Sequence, residues 1–67
     1  MSDKTFIKKI DGFNIYSVPD SYGRTVLAAY LNRQKIAEEM YIVTEPDELE
    51  MAYQHLISIA KRAVTRT

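Results

Sequence analysis

The chain has 67 residues, one histidine (His55), two glycines (Gly12 and Gly23), no cysteine and nine charges of each sign. A chain this short supports a single core, so one domain over residues 1–67 is expected, with no disulfide to brace it. A lone histidine without cysteine cannot form a His/Cys zinc site within one copy, and two glycines cannot write a Walker loop or a Rossmann triplet, so no metal or cofactor is expected.

The first turn signal is Asp11-Gly12, set between Phe6-Ile7-Lys8-Lys9-Ile10 and Phe13-Asn14-Ile15-Tyr16-Ser17-Val18. Asp-Gly between two β-rich runs predicts a hairpin, because both central residues of a type I′ turn need positive φ. The next break, Pro19-Asp20-Ser21-Tyr22-Gly23, collects turn formers, and Pro19 cannot donate to a ladder, so the second strand is expected to end at Val18. These rules give strands over about 5–10 and 13–18, followed by two more over about 24–31 and 36–43.

The stretch 25–40 admits a second reading as one long helix, since Ala, Leu, Gln, Lys, Glu and Met are good helix formers. Register favours strands. With Val18 facing Arg24, Ile15 meets Leu27 and Phe13 meets Ala29; with Leu31 facing Ile36, one face collects Ile10, Phe13, Ile15, Leu27, Ala29, Leu31, Ile36, Met40 and Ile42, with Glu38 as its misfit.

The last third predicts a helix over about 45–65. Thr44 is the expected N-cap, Asp47 follows three residues on, and Pro46 suits the first turn. Leu49, Ala52, Tyr53, Leu56, Ile59, Ala60 and Ala63 form one apolar stripe. Acids at the start (Glu45, Asp47, Glu48, Glu50) and bases at the end (Lys61, Arg62, Arg66) complement the helix dipole. The expected fold is therefore α+β, an antiparallel three- to four-stranded meander with one C-terminal helix across one face (β-β-β-β-α).

Alternation assigns the other face Ile7, Lys9, Asn14, Tyr16, Val18, Val26, Ala28, Tyr30, Lys35, Ala37, Glu39 and Tyr41. One helix covers one face, so Tyr16, Tyr30 and Tyr41, with Lys9 and Lys35, form the expected partner-binding surface, for another protein or a second copy. Tyrosine is also a good strand residue that pairs across strands, which accounts for its presence without any partner. The alternative function is nucleic-acid binding through Lys8, Lys9, Arg24, Arg33 and Lys35, with bases stacked on the tyrosines. In element order alone the chain is similar to AP2-type and integrase arm-binding domains, but the run of Arg and Trp on the strands is absent, so membership is not inferred. Net charge of zero gives no sequence-wide attraction to nucleic acid.

Six of the nine acids lie between Glu38 and Glu50 with no base among them, as helix-start electrostatics and a solvated loop explain. They lack the ligand spacing and turn glycine of a hard-cation loop. His55 sits at the edge of the apolar stripe with no nucleophile motif or orienting acid nearby in sequence, and is expected to be a boundary residue with satisfied hydrogen bonds. No catalytic residue is assigned and no small-molecule substrate or enzyme activity is expected. No stretch reaches the length of a membrane span, and Met1-Ser2-Asp3-Lys4 lacks a signal-like apolar run, so a cytoplasmic, non-membrane protein is expected. The size and type suit an accessory, adaptor or inhibitor protein, phage-encoded ones included, by association rather than derivation.

Overall fold

Two dipeptides with positive φ set the topology. Asp11 and Gly12 (φ 50° and 87°) close the first hairpin, and Asn32 and Arg33 (φ 52° and 67°) close another. Both are two-residue loops of the handedness that matches strand twist. The computed structural model describes residues 4–18, 20, 22 and 24–65. Within them, β1 (Thr5–Ile10), β2 (Phe13–Val18), β3 (Thr25–Leu31) and β4 (Gln34–Tyr41) form one antiparallel sheet in the order β1-β2-β3-β4, and α1 (Pro46–Thr65) follows. The expected α+β meander is the fold, and residues 25–40 are a hairpin rather than a helix. Of the break after β2, Pro19, Ser21 and Gly23 lie outside the described residues, as does Arg66. Asp20 holds that connection from one side, its carboxylate accepting from the Arg24 backbone N–H (3.2 Å) and from Arg24 Nε (2.8 Å).

The register departs from strict alternation at two bulges, and these decide what each face carries. β2 and β3 pair with Ile15 opposite Ala29 and Val18 opposite Val26, two residues from the expected register, so sidedness is preserved. β1 slips by one residue at Ile7: Phe6 faces Tyr16, whereas Lys8 faces Ile15. The slip turns Phe6 to the face away from the helix, while Ile7, expected on that face, packs against the core.

β4 slips at Ile36. Lys35 lies opposite Tyr30 as sidedness predicts, but Ala37 lies opposite Ala29 and Met40 opposite Val26. From Ala37 onward the strand is therefore inverted relative to expectation. Ala37, Glu39 and Tyr41 face the helix side, and Glu38 and Met40 face the other. Met40 and Ile42, both expected in the core, are 50% and 83% exposed. The inversion has a physical reason: it moves the misfit Glu38 out and puts a methyl-sized side chain, Ala37, where the helix crosses.

α1 lies over β3 and β4. Its buried side chains are Ala52, Tyr53, Leu56, Ile57 and Ala60, joined in one cluster with Phe13, Ile15, Leu27, Ala29 and Ala37. Four of these ten are alanines, two on each layer, which lets the helix backbone approach the sheet closely. Leu49 and Ile59 of the predicted stripe sit at its margin, and Ile57, absent from that stripe, is buried. Every buried side chain is apolar or aromatic, and among the described residues no buried side-chain nitrogen or oxygen lacks a partner.

The helix start is capped differently from expectation. Glu45 occupies the N-cap: its carbonyl accepts from the Glu48 N–H at 3.1 Å, and Pro46 takes the first helical position. Glu48 Oε1 reaches back to accept from the Glu45 N–H (3.0 Å), the Thr44 N–H (3.1 Å) and the Thr44 hydroxyl (2.5 Å). This is the returning half of a capping box, with Thr44 one position outside the cap and Glu48, not Asp47, as its partner. The hydrogen bonds from Thr44 hold the Glu48 carboxyl below the usual glutamate value of 4.5.

Leu56 is fully buried against both layers, so Leu56→Ala should cost about 2–5 kcal/mol, a large share of the ~5 kcal/mol available to so small a domain. Met51→Ala, at a site 71% exposed, should change stability by less than about 0.5 kcal/mol; urea unfolding followed by circular dichroism separates the two. The lowered carboxyl of Glu48 makes its cap fully effective above pH 4.5 and progressively lost as pH falls through the lower folded value. Glu48→Gln should therefore reduce stability at neutral pH and flatten the acid limb of the stability curve, measured by unfolding at a series of pH values.

Candidate functional site

The sheet face away from α1 is built by cross-strand rows. One row runs Lys9, Asn14, Tyr30, Lys35; the next runs Phe6, Tyr16, Ala28, Glu38; a third brings Val18, Val26 and Met40 together. Phe6 and Tyr16 meet edge to face (5.6 Å, 70°), and Tyr16 and Tyr30 do the same on the diagonal (5.1 Å, 77°). Lys4 Nζ lies 5.3 Å from the Tyr16 ring centroid and 5.0 Å from that of Tyr30. Ala28 is fully buried although no helix covers it, and it stands outside the helix-side core. Its shielding therefore comes from the side chains of its own face, with Tyr16 directly opposite. The tyrosines are half-buried, as rings lying across a sheet must be.

Of the expected binding residues, Tyr16, Tyr30, Lys9 and Lys35 share this face. Tyr41 does not. The Ile36 bulge turns it to the helix side, where its hydroxyl hydrogen-bonds His55 Nδ1 at 2.9 Å and the two rings meet at 87°. Burial, and then the nearby Glu39 charge, hold the Tyr41 phenol above its usual value. His55 is thereby the hydrogen-bonded boundary residue expected of it. Phe6 and Lys4, absent from the expected open face, and Met40, expected in the core, belong to it, because the bulges at Ile7 and Ile36 carry no sequence signal of their own.

The basic residues do not converge. Lys8 is on the helix side, 3.5 Å from Glu50 and 5.2 Å from the Tyr53 ring centroid. Arg24 is paired with Asp20 and lies over the Tyr22 ring, and Lys35 is 3.4 Å from Glu38. Arg33 occupies the β3–β4 turn. Lys4 and Lys9 are the open-face cations outside any ion pair among the described residues.

On the helix side, Glu48, Met51, Ala52 and His55 form a stripe at helical spacing that faces Tyr41, Ile42 and Val43 across a groove of about 350 Å³. A second hollow, about 370 Å³, lies between the Asn32-Arg33 turn and the helix end, lined by Leu31, Gln34, Lys35, Ile36, Ala63 and Val64. Among the described residues no three His, Cys, Asp or Glu side chains are grouped to hold a metal ion, and no helix is long and apolar enough to cross a membrane. No family model, curated protein or solved structure matches the chain.

Proposed function

We propose that this chain is a small non-catalytic binding protein, of accessory, adaptor or inhibitor type, that docks a protein partner through its open sheet face. The observation that carries this reading is the interlocked Phe6-Tyr16-Tyr30 patch, flanked by Val18, Val26 and Met40, on the side of the sheet away from the helix. Stiff aromatic area with polar tips is what protein interfaces favour at their centres. Edge-to-face packing has already fixed these rings, so little side-chain freedom remains to be lost on docking.

Charge narrows the partner. Lys35 is compensated by Glu38, which leaves Lys4 and Lys9 beside the aromatic patch, so the matching surface is apolar with an acidic rim. A second copy fits less well. It brings the same uncompensated Lys4 and Lys9 to the contact in place of an acidic rim.

Two observations weigh against the nucleic-acid alternative. Base stacking needs a ring face presented outward, whereas Tyr16 is packed edge-to-face with both Phe6 and Tyr30 and the Lys4 ammonium lies over both tyrosine rings. Three of the five basic residues of that alternative, Lys8, Arg24 and Lys35, are already ion-paired.

The test is quantitative capture of the tagged protein from its native cell extract, with and without nuclease. The expected outcome is a protein retained after nuclease treatment, lost by roughly tenfold or more with Tyr30→Ala or Phe6→Ala, and kept with Lys61→Ala, which alters only the Asp11 contact at the far end of the helix. Capture that nuclease abolishes, or binding that falls steeply with salt and with Lys9→Ala while ignoring the tyrosines, overturns the reading in favour of nucleic acid. Light scattering across a concentration series identifies a second copy as the occupant.

A further inference from the structure

We propose that the groove between the end of β4 and the first turns of α1 is a second docking site, for a lysine- or arginine-rich segment of a partner protein bearing large apolar anchors. Away from the open face, the fold leaves two large side chains in water: Ile42 is 83% and Met51 71% exposed, and they stand on opposite walls of the same groove. Each is a large apolar group, and together they line one trough, which marks an interaction surface more strongly than scattered exposure does. Methionine adapts its shape to an inserted side chain. The Tyr41–His55 hydrogen bond ties the two walls together behind them, so the trough is held open by a fixed contact.

Charge selects the occupant. Among the described residues the four ion pairs engage Asp11, Asp20, Glu38 and Glu50. Glu39, Glu45 and Asp47 are in none of them, and each neighbours a residue that lines this groove. Glu39 is close enough to act on the Tyr41 phenol, Glu45 caps the helix beside Glu48, and Asp47 lies one helical turn before Met51. Glu48 itself lines the groove, its carboxylate spent on the cap. An apolar trough with acids close to its margin and no lysine or arginine in its lining attracts a cationic apolar segment and repels nucleic acid and anionic lipid.

Its shape and neighbourhood favour side-chain insertion over strand addition. β4 is an edge strand, but Lys35, Glu38 and Glu39 stud it and the Ile36 bulge breaks its pairing line, both of which discourage a further strand. A volume of about 350 Å³ is at the small end of ligand cavities and suits one or two anchoring side chains.

The experiment is an NMR titration of the ¹⁵N-labelled chain with a synthetic peptide of about 15 residues, leucine at helical spacing and lysine elsewhere. A charge-reversed control carries glutamate at each lysine. The expected result is saturable shifts centred on Ile42, Val43, Met51 and His55, with a dissociation constant on the order of 10–100 μM. The control peptide, Met51→Glu and Asp47→Lys should each weaken binding by roughly tenfold, with Tyr30→Ala leaving it unchanged. Met51 and Asp47 are exposed, so their variants keep the fold, which the dispersion of the same spectra verifies. The proposal is overturned by absence of saturable shifts up to about 1 mM peptide, by shifts centred on Phe6, Tyr16 and Tyr30, by equal binding of the two peptides, or by a dimer of this chain that protects the groove residues instead.

Discussion

One helix can remove water from only one face of a four-stranded sheet, and the rest of this molecule follows from that limit. α1 is the chain's single helix among the described residues, and it lies over β3 and β4. Alanines at 29, 37, 52 and 60 let it lie close, so that Leu56, Ile57, Ile15 and Leu27 lose nearly all contact with water. The opposite face must then shield itself. It does so with aromatic rings laid over Ala28, an arrangement that protects the sheet and in the same act concentrates stiff, amphipathic side chains at the surface. Structure and candidate function are here two consequences of one shortage of covering layers.

The parts legible in the sequence are those governed by local rules. Asp11-Gly12 announces its turn because positive φ is cheap for those residues, and Pro46 with the Leu49-to-Ala63 spacing announces the helix. Sidedness in β2 and β3 is legible because both strands alternate without interruption, even with the pairing displaced by two residues. A shift of two leaves each side chain on its face, so an inexact register still yields the right layers.

What escaped the sequence is the odd-numbered slip. A bulge adds one residue to one strand and flips everything beyond it, and nothing in Phe6-Ile7-Lys8 or Lys35-Ile36-Ala37 marks the extra residue. The second hairpin shows why. Asn32-Arg33 closes it in two residues, tighter than the gap between the expected strands, with Arg33 in a conformation that side-chain-bearing residues seldom adopt. The excess residue is then absorbed at Ile36, where the competition is settled by which side chain fits beneath the helix. Alanine at 37 fits there and Glu38 does not, a tertiary criterion that no window of a few residues contains. The Tyr41–His55 contact, and with it the groove, exists because that competition went as it did.

A formal charge of zero hides a sided molecule. Ion pairs at Lys8–Glu50, Lys35–Glu38, Lys61–Asp11 and Arg24–Asp20 cancel charge locally and, being exposed, add little to stability. Of the charges they leave over among the described residues, Lys4 and Lys9 stand on the open face, Arg33 in the β3–β4 turn and Arg62 near the helix end, whereas Glu39, Glu45, Asp47 and Glu48 gather about the end of β4 and the start of α1. At the roughly 8 Å screening length of physiological salt, a partner approaching one face responds to that face's own surplus far more than to the sum over the chain. The two proposed docking surfaces therefore differ in the charge at their rims. Their apolar centres are otherwise alike, and it is this separation of the residual charge that distinguishes the two proposals.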